Sequence, residues 1–160
     1  MPDIMPMAPP ALRVEALTVR FRRRGVDVAA VNGVSFALAR GETLGIVGES
    51  GSGKSVSLKA LMGLLPDYAT IDGEVWLDGK PVLDLPPAEL AKLRGGAISM
   101  IFQEPMAALD PVYTIGEQIA ETIVKHEGIG HAAAMKRALD LLDHVKIPSA
   151  ARRLRNFPHE

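Results

Sequence analysis

The chain has 160 residues, a formal net charge of −1 and no cysteine. The length suits one ordinary domain, and the near-neutral charge provides no general basic field, so we expect no nucleic acid as a partner. The lack of cysteine excludes a disulfide framework and a thiolate metal site. No apolar run approaches the roughly 18 residues that span a bilayer, so any membrane association should go through a partner.

The N-terminal part predicts a loose tail followed by two strands. Residues 1–10 are rich in proline and carry neither the basic nor the apolar region of a signal peptide, so we expect disorder there. Alternating apolar residues predict strands over Leu12–Phe21 and Val34–Leu38. The charged turn Arg22–Gly25 is either a solvated hairpin tip or a segment near phosphates or lipid headgroups. Phe21 is either an ordinary strand aromatic or a ring that stacks on adenine.

The most informative stretch satisfies the pattern G-x-x-x-x-G-K-[ST], a phosphate-binding loop. Its residues are Gly48, Glu49, Ser50, Gly51, Ser52, Gly53, Lys54 and Ser55. The glycines let backbone N–H groups point inward at phosphate oxygens, the lysine supplies a mobile charge, and the last serine can ligate Mg²⁺. We expect a short buried strand over Thr43–Val47 before the loop and a helix over Val56–Leu65 after it. The alternative, a flexible glycine-serine surface loop, needs neither flank nor a terminal Lys-Ser.

Between this loop and residue 103 the pattern returns to mixed elements. A strand is predicted over Gly73–Gly79, a short helix opened by proline over Leu85–Leu93, and a buried strand over Ala97–Phe102. Gln103 follows that strand directly. It is either an ordinary polar strand terminus or a ligand-contacting residue, because ligands of open α/β sheets bind at the carboxyl ends of strands.

The remaining third is helical. A long loop, Glu104–Tyr113, leads to a capping box at Thr114–Glu117 that opens a helix with isoleucines on one face. A second helix is predicted from about His131, and Ser149 is placed to cap a last short helix. None of the four histidines has a metal-ligand spacing, so we expect all of them at the surface.

The phosphate-binding loop together with Met100–Met106, Leu109–Pro111 and Thr114–Ile119 resembles the ATP-binding subunit of ABC transporters. More narrowly, the chain is similar to the dipeptide/oligopeptide/nickel importer branch, from about Leu12 to Glu160. The resemblance implies an α/β fold, namely an incomplete P-loop NTPase (RecA-like) core with an N-terminal antiparallel β subdomain and the start of an α-helical subdomain. The corresponding division is 1–10 tail, 11–103 β and nucleotide-binding part, and 104–160 linker loop and partial helical subdomain.

The same resemblance assigns roles to individual residues. It implies ATP and Mg²⁺ as cofactors, with Phe21 stacked on adenine and Gly48–Ser55 around the phosphates. It implies catalytic roles for Lys54 and Gln103, with Gln103 near the attacking water. Ser55 and Gln103 are the implied Mg²⁺ contacts.

The implied partners are those of an importer. Two ATP-binding subunits, identical or different, close over two nucleotides, and closure drives alternating access of the membrane pore. Glu104–Tyr113 is expected near the transmembrane permease subunits, and an extracytoplasmic solute-binding protein would act indirectly. The implied location is the cytoplasmic face of the inner membrane, as a peripheral subunit. Peptides, nickel and glutathione all stay open as cargo.

The departures from the family pattern are as informative. The sequence contains no LSGGQ-like signature, no four-residue apolar strand ending in Asp-Glu (Walker B) and no later switch histidine; Leu93–Gly96 mimics the signature on the wrong side of Gln103. We therefore expect the chain to stop directly before the signature, to leave exposed sheet edges, and not to hydrolyse ATP alone. The alternatives are a truncated nucleotide-binding protein without turnover and a P-loop small-molecule kinase.

Overall fold

The computed structural model describes residues 9–23, 25–104 and 108–160. The chain divides into two compact units, Met1–Arg94 and Gly95–Glu160. Most of the predicted N-terminal tail lies outside the described residues. None of the described helices is long and apolar enough to cross a membrane.

The first unit contains a four-stranded antiparallel sheet with the order β2-β1-β3-β4. Its strands are β1 (Leu12–Arg23), β2 (Val26–Leu38), β3 (Ala69–Leu77) and β4 (Lys80–Pro81). The predicted strand over Leu12–Phe21 is confirmed, and the one over Val34–Leu38 is longer than expected. Because β1 pairs with β2 as far as Arg23, the predicted turn is shorter, and Arg24 lies outside the described residues.

Two helices accompany this sheet: α1 (Lys54–Leu61) and α2 (Pro87–Leu93). Ala60 and Leu61 of α1 are buried in one apolar cluster with Val14, Leu17 and Val19 of β1. A side of α1 is thus fixed against the sheet by burial of apolar surface. The predicted helices at Val56–Leu65 and Leu85–Leu93 are confirmed, although α1 ends four residues earlier than expected.

The second unit consists of α3 (Ile115–Glu127), α4 (His131–His144) and α5 (Ala150–Arg153). α3 and α4 pack through fully buried alanines, namely Ala120, Ala134 and Ala138, together with Ile123. Small side chains allow two helices to approach closely. The Thr114 side chain accepts a hydrogen bond from the Glu117 backbone N–H at 3.3 Å, which confirms the N-cap of the predicted capping box. The Glu117 carboxylate does not complete the box and lies 2.8 Å from His131 Nε2. All four histidines are exposed, as expected.

Three expectations about local structure are wrong. Thr43–Val47 and Ala97–Phe102 were expected as buried strands, but neither stretch is a β-strand, and Val47 and Ile101 are 94% and 98% exposed. A strand forms only where neighbouring backbone pairs with it, and no strand of the described sheet pairs with either stretch. Ser149 does precede α5, but its φ is 56° and its side chain makes no capping hydrogen bond.

Candidate nucleotide-binding site

The phosphate-binding loop leads directly into α1, as the motif requires. Gly53 is the residue before the helix and has φ 89°, and Gly51 has φ 81°. Both values lie in the left-handed region, which glycine adopts without the steric cost that a Cβ brings. These two glycines therefore give the loop a left-handed backbone course that other residues would adopt only with strain.

Two positions in the loop also lack room for a side chain. A Cβ on Gly53 would lie 2.3 Å from the carbonyl oxygen of Ala30 in β2, and one on Gly48 would lie 2.7 Å from Ser52 Oγ. The first contact fixes the start of α1 against the sheet. The second contact is with a serine hydroxyl that can rotate away, so Gly48 is less strictly required than Gly53.

The ammonium group of Lys54 lies against the loop. Its Nζ donates to the carbonyl oxygens of Gly48 and Glu49, each at 2.7 Å, and to Ser52 Oγ at 3.2 Å. All three acceptors belong to the loop itself. The loop thus carries a fixed positive charge that phosphate oxygens can approach.

The first turn of α1 adds to the positive potential. The first N–H groups of a helix have no acceptor within it, and the helix dipole is positive at this end. No acidic residue stands in that turn to compete for these donors. Ser55 is exposed there, whereas Ser57 is buried and donates to the Gly53 carbonyl at 3.1 Å. The Ser55 hydroxyl is therefore available to a metal ion, whereas the Ser57 hydroxyl is already bonded to the main chain at the start of α1.

Phe21 lies in the same unit as the loop. In the sheet it is paired with Val28 of β2 and Ala69 of β3, and its ring is partly buried. Ala30, whose carbonyl contacts the loop, stands two residues beyond Val28, about 7 Å along the strand. Phe21 of β1 and the phosphate-binding loop therefore both lie beside the same stretch of β2.

A second aromatic residue beside Phe21 did not emerge from the sequence pattern. The Tyr68 ring centroid lies 6.0 Å from that of Phe21, with the planes tilted by 55°. Its carbonyl accepts a hydrogen bond from the Arg22 N–H at 3.3 Å. Tyr68 stands five residues before the predicted strand Gly73–Gly79, and an aromatic residue at such a position does not indicate which strand lies opposite.

Gln103 belongs to the second unit. It is exposed and lies outside any helix or strand, next to Phe102, which is 45% exposed. Farther along the loop, Asp110–Tyr113 is exposed and is held by the side chain of Gln118. Residues 105–107, inside the segment expected near the permease, lie outside the described residues.

Two cavities of about 330 and 500 Å³ lie beside the Asp110–Tyr113 loop. Tyr113, Gln118 and Glu121 line both of them. Sequence analysis identified the helix on which Gln118 stands but gave this glutamine no role. A single glutamine in a helical pattern carries no signal that it bonds to a loop several residues earlier.

The loop, the adjoining helix and the sheet beside them define a P-loop nucleotide-binding protein. A sequence model of the ABC transporter family matches residues 31–160, and the chain belongs to that family. The kinase alternative is thereby excluded.

The curated relatives include peptide-transport proteins. Over 93% of its length the chain is 51% identical to the dipeptide transport ATP-binding protein DppD of Lactococcus lactis. It is 49% identical over 94% to the oligopeptide transport ATP-binding protein OppD of Mycobacterium tuberculosis, and 48% identical over 93% to that of Escherichia coli. These matches cover 43%, 25% and 44% of the relatives, so the chain spans less than half of their length.

Solved structures agree with the family and the predicted fold class. The dimeric structure of an ATP-binding cassette in a post-hydrolysis state, bound to ADP and Pi, matches with a TM-score of 0.76 at 26% identity. Another dimeric structure of a bacterial ABC transporter cassette matches with a TM-score of 0.75 at 25% identity. Each match covers 92% of this chain and 62% of the other. The fold is therefore that of part of an ABC cassette, with an antiparallel β region and a helical region.

Proposed function

We propose that this chain is the nucleotide-binding portion of an ATP-binding subunit that binds Mg-ATP and couples its hydrolysis to import of peptides or related solutes. The observation that carries the proposal is the loop itself, where Lys54 Nζ is held by three loop oxygens and Gly51 and Gly53 adopt positive φ. Family membership and the names of the relatives support the transport role.

Individual residues have distinct roles in this proposal. The N–H groups of Gly48–Ser55 and the Lys54 ammonium bind the phosphates, and Ser55 contributes its hydroxyl to Mg²⁺. Phe21 stacks on the adenine ring, for which its partly exposed face is suited. Gln103, which is exposed, approaches Mg²⁺ and the attacking water. Mg²⁺, when bound, neutralises charge that develops on the phosphate oxygens.

The proposed partners follow from the transport role. Glu104–Tyr113 contacts the transmembrane permease subunits, and a second ATP-binding subunit, identical or different, completes the dimer that closes over two nucleotides. An extracytoplasmic solute-binding protein acts indirectly by delivering cargo. The subunit is peripheral on the cytoplasmic face of the inner membrane.

The first experiment measures Mg-ATP binding by isothermal titration for the wild type and for Lys54→Ala. A charge-assisted hydrogen bond contributes about 1.5–3 kcal/mol, so we expect at least a tenfold loss of affinity. Lys59→Ala is the matched control, because Lys59 lies on the same helix outside the loop. Equal affinities of wild type and Lys54→Ala would refute nucleotide binding at this loop.

The same samples test turnover. Because the sequence carries no Walker B carboxylate or signature segment, we expect the 160 residues alone to bind Mg-ATP without releasing phosphate. Steady-state phosphate release by the wild type should equal that of Lys54→Ala. Release well above that control would mean that another residue of the chain supplies the general base.

A further inference from the structure

The side-chain amide of Gln118, in the second turn of α3, is bonded to the main chain of the loop that precedes the helix. Its Oε1 accepts from the Asp110 N–H at 2.8 Å, and its Nε2 donates to the Asp110 carbonyl at 2.8 Å and to the Tyr113 carbonyl at 3.0 Å. An amide nitrogen carries two N–H groups, and here both are used. One side chain therefore fixes the loop at both ends.

The loop is also closed from within. Asp110 Oδ1 accepts from the Val112 N–H at 3.0 Å, which forms an Asx turn. These bonds turn polar main-chain groups inward and leave two large side chains outside: Val112 is 68% exposed and Tyr113 57% exposed. The hydrogen-bonded loop thus presents these two side chains to solvent, where a partner can contact them.

The stability of the helices does not account for this network. The core of the second unit consists of Ala120, Ile123, Ala134 and Ala138, and includes neither Gln118 nor residues 110–113. The cavities of about 330 and 500 Å³ share Tyr113 and Gln118 in their walls, so a change in the loop changes both. The network shapes a surface and lies outside the core.

We infer that Gln118 is a positioning residue, which holds Asp110–Tyr113 in the conformation that binds the membrane subunit. The inference rests on the proposed function, in which this loop contacts the permease. A loop that is already held in its binding conformation loses little entropy when it binds. A variant whose loop is no longer held should therefore bind more weakly.

Two nearly isosteric variants test the network. Gln118→Glu keeps one acceptor but sets a carboxylate against two carbonyl oxygens, and Gln118→Met removes all three bonds without adding charge. The matched control is Glu121→Gln, which lines the same two cavities outside the network. Loop order is read from a nitroxide on Val112→Cys, since the chain has no other cysteine. Circular dichroism verifies that the helices are retained, and Gln118→Met serves if the glutamate variant does not fold.

Binding to the membrane subunits of an oligopeptide importer in nanodiscs is measured with chains that carry neither Val112→Cys nor the nitroxide. We expect both Gln118 variants to mobilise the nitroxide and to weaken binding about tenfold, and Glu121→Gln to do neither. An unchanged nitroxide spectrum would overturn the inference. A mobile loop with unchanged binding would also overturn it, provided that Val112→Asp weakens binding. If Val112→Asp binds normally, the proposed permease contact is what fails, and the docking role of Gln118 fails with it.

Discussion

Two loops of this chain, Gly48–Ser55 and Asp110–Tyr113, are shaped by different interactions. Gly48–Ser55 is shaped by glycines with positive φ and by a close approach to the Ala30 carbonyl. Asp110–Tyr113 is shaped by a side chain five to eight residues later, the amide of Gln118. The shape of the first loop depends mainly on its own glycines, with one close approach from β2. The shape of the second loop depends on a side chain of the helix that follows it.

This difference determines what each loop can tolerate. A glycine at positive φ cannot be replaced without strain, and its substitution acts on the backbone directly. A loop held by hydrogen bonds loses order in steps, because each bond contributes only about 0.5–1.5 kcal/mol. Substitutions in the phosphate-binding loop should therefore have larger effects on stability than substitutions around the second loop.

The largest effect is expected for Gly53→Ala. Gly51 and Gly53 have similar φ values, but a Cβ has open space at Gly51 and a backbone oxygen 2.3 Å away at Gly53. Left-handed strain costs about 1–2 kcal/mol at either position, and Gly53→Ala adds the clash. Urea unfolding followed by the fluorescence of Trp76, the single tryptophan, should show the greater loss for Gly53→Ala. Equal losses would mean that the approach of Ala30 is not tight.

An intermediate effect is expected for Phe21→Leu, which tests base binding separately from phosphate binding. The variant keeps apolar volume in the sheet but removes the ring, and stacking on a base contributes about 1–3 kcal/mol. The affinity for Mg-ATP should fall about fivefold or more, while the affinity for inorganic tripolyphosphate should not change. If the affinities for both ligands fell equally, the substitution would have disturbed the sheet in general, and stacking of Phe21 on the base would be contradicted.

The smallest effect is expected at the end of the second loop. Thr114→Ala removes the hydrogen bond to the Glu117 N–H and should cost about 1 kcal/mol in unfolding of the helical unit. Ser149→Ala is the control, because that serine precedes α5 without a capping bond. Its loss should stay within about 0.5 kcal/mol. Thermal unfolding followed by circular dichroism distinguishes the two, and similar values would contradict the capping geometry.

Local patterns predicted most of the elements. Alternation of apolar residues identified β1, helical spacing with a cap identified α3, and helical spacing alone identified α4, because each signal lies within the element itself. The phosphate-binding loop was predicted residue by residue, since its glycines, lysine and serine form a fixed pattern. The antiparallel pairing of the first strands and the fold class were expected from the family resemblance and are confirmed.

The features that were not predicted depend on contacts between different segments of the chain. The apolar runs at Thr43–Val47 and Ala97–Phe102 have strand composition, but a strand also needs a neighbour to pair with. The Tyr68 ring meets Phe21 only because β1 pairs with β3. The hydrogen bonds of Gln118 depend on the path of the loop Asp110–Tyr113. Composition and spacing contain none of these relations.

The most direct test of the central claim is an amide NMR titration of the chain with Mg-ATP. The account predicts that the resonances of Gly51, Gly53, Lys54 and Ser55 shift on addition, and that tripolyphosphate alone shifts the same four resonances. Lys54→Ala should lose these shifts at the same ligand concentration. Shifts confined to residues outside Gly48–Ser55, or unaffected by the Lys54 substitution, would contradict binding at this loop.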